Sequence, residues 1–470
     1  MTSTSSYERL TAADTVFLRV ETPHEPQHVG SLSVLQGAPL RDADGRIRFD
    51  DLRDHVARRT LRVPRLRQRI MDVPYNQGRP VWVDDERFDI DYHVRLTALP
   101  RPGDEQQLAA LMSRLQSLPL DRARPLWEMW FVDGLADDEV ALIIKTHHAL
   151  GDGIANVDLA LALVDLEPDP PPDDATPEWA PRPAPTENEL LGDSIREQLM
   201  QPARLVRTLL GAVRDPRPAL DGAANVGRTV VNFLAKPAPA PWNVPVSAHR
   251  RWVSASVPMQ AVRTVRGSHE ASLNDVVLAA CTGALRTFLI EHGDTDIDRR
   301  VIKAMVPVSM RGKDQHGDTL GNLVSLIIVD LPVDEPDPAV RLHRIHAMTS
   351  ELKGSGLVDG AQRILDIADA IAPIAGPLTR YVSRSIPMNL VVTNIPGPPV
   401  PLYLCGARFR RVFPYVEVID NEGLTIAVVS YDDHLHFGIT ADLDVMADLG
   451  DVAASIEQEF AALVDVAVRE

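Results

Sequence analysis

Cysteine is almost missing from this chain of 470 residues: Cys281 and Cys405 stand alone and far apart. That excludes a disulfide scaffold and a cysteine-built zinc site, and it suits a reducing cytoplasm. Cations are in deficit, with 48 Lys+Arg against 66 Asp+Glu and a net charge of −18. Bulk nucleic-acid binding needs a basic footprint, so the balance argues against it. Any anionic ligand must be met by a local group of cations. The opening residues, MTSTSSYERL, lack a charged stretch followed by an apolar one, so no signal peptide is expected. No apolar run approaches the roughly 18 residues that a bilayer-spanning helix needs. What is present is ordinary for a globular protein with a large core: 45% hydrophobic and 24% charged residues. The length fits two or three compact units.

One break in composition divides the chain. Residues 167–185 read EPDPPPDDATPEWAPRPAP, and so much proline and acid packs poorly and favours an extended surface linker. The expected organisation is an N-terminal domain over 1–166, a linker with bridging helices over 167–250, and a C-terminal domain over 251–470. Leu190–Val213 has helical spacing, with Arg196, Arg204 and Arg207 among its leucines. That pattern fits a solvated basic face, or a surface helix touching anionic lipid. Strand and helix signals alternate in both halves. Val140–His147, Arg251–Val257, Val301–Val308, Asn322–Leu331, Asn389–Thr393, Leu424–Ser430 and His434–Thr440 read as strands. Ser272 followed by Asp275 opens a helix running to about Glu291 in the manner of a capping box, and Met446–Val468 reads as a closing helix. The fold class expected is mixed α/β.

The most informative string is Lys145-Thr-His147-His148-Ala-Leu-Gly151-Asp152-Gly153. An apolar strand delivers two adjacent histidines where a turn begins. Successive strand residues face opposite ways, so only one can face a given cavity. Gly151 and Gly153 are read as permitting a tight turn and close approach to a ligand. An imidazole with an ordinary pKa of about 6.5 is suited to general-base work. Asp152 could orient the ring, or turn away and pair with a cation. Adjacent histidines are poorly placed to share one metal ion, and no HExxH pattern occurs, so no metal site is expected. No G-x-S-x-G elbow occurs either, which speaks against a serine acyl-enzyme.

HHALGDG resembles the HHxxxDG signature of the bacterial wax ester synthase/acyl-CoA:diacylglycerol acyltransferase family. That family shares a chloramphenicol-acetyltransferase-like fold with other CoA-dependent acyltransferases. Further segments are similar in order along the chain: Leu10-Thr-Ala-Ala-Asp14-Thr-Val-Phe17, His28-Val-Gly30, Pro125-Leu126-Trp127-Glu128, Asn274-Asp275, Pro307-Val-Ser-Met-Arg311, Asn322-Leu-Val-Ser325 and Asn394-Ile-Pro-Gly397-Pro. The resemblance implies two such domains with a channel between them. It implies direct transfer of a long-chain acyl group from acyl-CoA, a co-substrate, to the hydroxyl of diacylglycerol or a fatty alcohol, with no cofactor. His148 would be the base and His147 a supporting residue. Asp152 would brace the loop by pairing with Arg311, beside Gly153. Asn274 and Asp275 would face the histidine loop, although helix capping alone accounts for the acid. Pro125, Leu126 and Trp127 would shape the acyl pocket, against the plainer reading of core packing. Thr393 and Asn394 could supply a polar group to an oxyanion, or simply form the turn before Pro396.

The richest run of cations, Arg53, Arg58, Arg59, Arg62, Arg65, Arg67 and Arg69, could hold phosphates or lipid headgroups. A solvated helix face with paired acids is the plainer reading. Greasy substrates point to work at the cytoplasmic membrane face or a lipid-droplet surface. Two rivals are an acyltransferase of the same motif with a polyketide- or peptide-loaded carrier as acceptor, and a lipid-binding or droplet-coating protein without turnover.

Overall fold

The computed structural model describes residues 7–151, 153–171, 179–197, 239–309, 324–354 and 388–469. Their strands form three sheets. The small one runs in the order β1 (Glu8–Arg9), β4 (Val81–Asp84), β3 (Gln68–Met71). The first large sheet runs β12 (Tyr403–Leu404), β13 (Ala407–Val416), β2 (His28–Gln36), β7 (Glu139–His147), β6 (Trp127–Asp133), β5 (Val94–Ala98). All its neighbours are antiparallel except β5 and β6. The second large sheet runs β10 (Val324–Leu331), β9 (Ile302–Ser309), β11 (Leu390–Ile395), β14 (Leu424–Tyr431), β15 (His434–Asp442), β8 (Arg250–Pro258). There β9, β11 and β14 are parallel and the outer pairs antiparallel. The mixed α/β class expected from the alternation of signals is what forms.

The strands read from apolar runs all appear, within a few residues at each end. Two helices of the C-terminal half, Met259–His269 and Pro338–Gly354, were not anticipated. The helix Leu273–Glu291 starts as the sequence predicts. Ser272 Oγ accepts from the Asp275 amide at 3.2 Å and Asp275 Oδ2 accepts from the Ser272 amide at 2.8 Å. By length and composition it could cross a membrane, with a mean hydropathy of 1.4, which the search for apolar runs did not bring out. Most of it is buried in the core beneath the second sheet, with Val276, Val277, Ala280 and Leu285 all sealed from solvent. Such a helix is apolar all round because protein surrounds it.

One feature cuts across the expected boundaries. β12 and β13 come from beyond residue 400, yet they extend the N-terminal sheet. β2 carries buried residues along most of its length and would otherwise be an edge with unpaired backbone groups. β13 covers it from Phe409 opposite Leu35 to Val416 opposite Val29, with a bulge between Phe409 and Arg411. The linker is tied down as well. Asp165 exchanges two backbone bonds of 2.8 Å with Tyr403, and Arg182 bonds Asp84 through its amide (3.0 Å) and guanidinium (3.1 Å). The helix over 187–197 that follows buries Leu190 against Val73, Val81 and Val83. Residues 198–238 of the bridging region, including Arg204 and Arg207, lie outside the described residues.

The two large sheets meet where β13 crosses β15. A Cβ on Gly438 would lie 1.7 Å from the Pro414 carbonyl oxygen. The Trp252 indole also donates to that oxygen at 3.3 Å. Gly438→Ala must therefore push the sheets apart, and overpacking of this kind costs about 1–3 kcal/mol. The expected outcome is a lower melting temperature, read by calorimetry; an unchanged melt would mean the junction is not tightly closed.

Candidate active site

β7 ends on His147, and the turn His148–Leu150 follows at once. The two histidines have different surroundings, as strand alternation predicts. His147 is sealed from solvent and level with His28 on β2. Its backbone N–H donates to the Leu126 carbonyl at 3.0 Å. Its Nδ1 accepts from the Ala149 amide at 2.9 Å. A neutral ring with Nδ1 accepting carries its proton on Nε2, and Nε2 lies 3.4 Å from Glu21 Oε1.

Glu21 caps the helix Ala12–Val20, its amide donating to the Phe17 carbonyl at 3.2 Å. Its carboxylate also takes the Gln27 amide at 3.2 Å and Arg122 Nε at 2.8 Å. Burial on its own would raise the carboxyl, but the nearby His147 ring and the Arg122 guanidinium outweigh it and hold Glu21 down at about 2. His28 sits on the other side of the same carboxylate, 3.7 Å away. Burial, then the charges of Lys145 and His147, push His28 well below its usual value.

His148 is half-buried. Its backbone N–H donates to the Gln27 carbonyl at 2.8 Å. Its ring lies flat on Phe17, centroids 3.9 Å apart and planes within 8°. One ring face is thus fixed by an apolar side chain while the backbone is held by a neighbouring loop. Gly151 is extended, with φ of 163°, so the tight-turn reading of that glycine is unnecessary. Gly153 opens the helix Gly153–Leu163. The expected pair of Asp152 with Arg311 falls outside the described residues.

Pro125, Leu126 and Trp127 are core residues. Trp127 stacks on His93 at 4.5 Å and its indole donates to the Leu66 carbonyl at 2.8 Å. Their link to the histidines is the Leu126 carbonyl that takes the His147 amide. A second group gathers at the start of the helix Leu273–Glu291. Asn394 Nδ2 donates to Asn274 Oδ1 at 2.6 Å, which joins two residues singled out separately in the sequence. Thr393 beside it is buried. Asp275 is buried and takes His346 Nδ1 at 2.8 Å and Thr349 Oγ1 at 2.7 Å. Burial opposes its charge, but these bonds prevail and lower it. The arginine run is largely paired. Arg53 meets Asp50 and Asp91, Arg59 meets Asp165, and Arg65 meets Glu8 while lying over Trp82.

Profiles of two domains match the sequence. The wax ester synthase/diacylglycerol acyltransferase catalytic domain matches over residues 10–277, and the WS/DGAT C-terminal domain over 320–464. The chain belongs to the wax ester synthase/diacylglycerol acyltransferase family. Two relatives within this family are probable diacylglycerol O-acyltransferases of Mycobacterium tuberculosis. One is 33% identical, over 98% of this chain and 96% of that one. The other is 34% identical, over 91% and 92%. Among solved structures, the wax ester synthase/diacylglycerol acyltransferase of Marinobacter aquaeolei VT8 superposes with a TM-score of 0.69. It is 26% identical and matched over 98% of this chain and 99% of that one. The starter condensation domain of rhizomide synthetase shares the fold, with a TM-score of 0.60 at 15% identity, over 98% and 95%.

Sequence reading did not assign roles to Glu21, Arg122 or Phe17. Phe17 stood only within a segment similar to the family's opening, and no spacing rule ties Glu21 to a histidine on a distant strand. Because the Glu21 carboxyl lies lower folded than unfolded, it adds stability above its ordinary value of 4.5 that is lost as pH falls toward about 2. The shift corresponds to about 2–3 kcal/mol. The melting difference between wild type and Glu21→Gln should therefore shrink between these pH values; a constant difference would mean the carboxylate is not held this way.

Proposed function

We propose that the protein transfers a long-chain acyl group from acyl-CoA to the hydroxyl of diacylglycerol, or of a long-chain alcohol, with His148 as general base. The observation that carries this reading is the half-buried His148 ring, fixed by Phe17 and Gln27 at the mouth of a strand whose last residue is locked by Glu21. Family membership supports the substrate class. An imidazole nitrogen of His148 removes the hydroxyl proton as the oxygen attacks the thioester carbonyl carbon. The tetrahedral intermediate collapses, the carbon–sulfur bond breaks, and the departing thiolate takes the proton back from the imidazolium. His147 and Glu21 stay out of the proton transfer and hold the turn. Asn274 and Asn394 form the polar pair best suited by chemistry to meet the intermediate's oxygen.

Both substrates partition into lipid, so the same reading places the enzyme on the cytoplasmic face of the membrane or on lipid droplets, held by its surface. A general base contributes about 10²–10⁴-fold. His148→Ala should lose that much turnover of radiolabelled palmitoyl-CoA with diacylglycerol while melting cooperatively; retained activity overturns the base assignment. A panel offering diacylglycerol, hexadecanol and a carrier-protein thioester acceptor separates the lipid reading from its carrier-dependent rival. In cell fractionation, the protein should travel with membranes or droplets and be released by a high-salt wash. A wholly soluble pool would contradict surface attachment.

A further inference from the structure

Glu417 is a buried carboxyl that the chemistry above does not use. It directly follows β13. Val416 pairs with Val29 and His28 pairs with His147, so Glu417, the residue after the last pair, leaves the sheet next to the row of His28 and His147, whose next residue is His148. Its backbone carbonyl takes Thr425 Oγ1 at 2.8 Å, which fixes the chain there. The loop after it docks on the loop that supports His148. The Asp420 amide donates to Glu25 Oε1 at 2.6 Å, the Arg250 guanidinium reaches the His24 carbonyl, and Gln27 holds the His148 amide.

The Glu417 side chain is 7% exposed, and its Oε2 finds no hydrogen-bond donor among the described residues. An unpaired buried oxygen of this kind is destabilising, because it has lost its hydration and gained no donor. Neighbouring acids do not carry that cost: Glu21 is fully bonded, and Glu25 takes the Asp420 amide. Burial pushes the Glu417 carboxyl up, and among charges His148 acts most strongly against it, followed by Arg250, with Glu21 opposing. Glu422 is buried too and has its own unpaired oxygen, yet burial alone acts on it. The charged and titratable groups around Glu417 and His148 are Glu21, His28, His147, Arg250 and the Tyr415 hydroxyl.

We propose that Glu417 is a positioning residue for acyl transfer, whose buried carboxyl stabilises the imidazolium formed when His148 takes the acceptor's proton. The inference rests on His148 being the general base. As the hydroxyl proton moves to His148 and the oxygen bonds to the thioester carbon, a positive charge appears on the ring. The Glu417 carboxylate faces that charge, and the buried pair is close to neutral while the intermediate lasts. The pairing ends when the departing thiolate takes the proton.

The test uses the full chain with palmitoyl-CoA and dioleoylglycerol, following kcat, KM and the pH profile of kcat/KM. In Glu417→Gln, kcat should fall about tenfold with KM for palmitoyl-CoA almost unchanged, and the acidic limb should move to lower pH by about half a unit or more. Glu417→Asp, which keeps the charge, should recover most of kcat and return the limb towards its wild-type position. An unmoved limb in a Glu417→Gln protein that melts like wild type overturns the inference. Should the amide variant not fold, Glu417→Leu serves as the carboxyl-free protein under the same criteria. His148→Ala run alongside separates the two claims. If it stays active, the base reading itself fails. If it is inactive while Glu417→Gln behaves as wild type, only the role of Glu417 fails.

Discussion

The site depends on one buried contact, His147 Nε2 lying 3.4 Å from the Glu21 carboxylate. A carboxylate taken out of water is stable only where charge and hydrogen bonds replace its hydration. Arg122 and the Gln27 amide do this, and the result is a rigid anchor rather than a reactive acid. The anchored ring receives the Ala149 amide, which shapes the turn carrying His148. The first histidine of the motif is therefore structural by virtue of its partner. The second is half-buried, its ring stacked on the flat face of Phe17 and its backbone N–H bonded to the Gln27 carbonyl.

Local chemistry explains what could be seen in the sequence. Ser272 and Asp275 announce a helix because capping is a matter of three residues. The strands Arg250–Pro258, Leu424–Tyr431 and His434–Asp442 declare themselves by short apolar runs. The pair of histidines was legible because strand and turn lie next to each other in sequence. The partnership of Asn274 with Asn394 was only half legible. Each residue stood out in its own segment, but nothing in either one spoke of the other.

What stayed hidden is long-range. Glu21, Arg122 and Glu417 matter through partners far along the chain, and a lone acid or arginine in a loop carries no periodicity. The helix Pro338–Gly354 has too many arginines and histidines among its apolar residues to show a clean face. The exchange of β13 was invisible for a further reason. Its apolar alternation says that a strand forms, and nothing in a strand's own residues says which sheet will receive it.

That exchange bears on how the molecule is made. A nascent chain emerges from its N-terminus, and β2 is synthesised almost four hundred residues before the strand that covers it. Through nearly the whole of translation the first sheet has an open border, so a vectorial, domain-by-domain route cannot finish the first half on its own. The histidine turn acquires its last wall only when the chain is nearly complete. A prematurely terminated chain has neither a closed first sheet nor the carboxyl that follows β13.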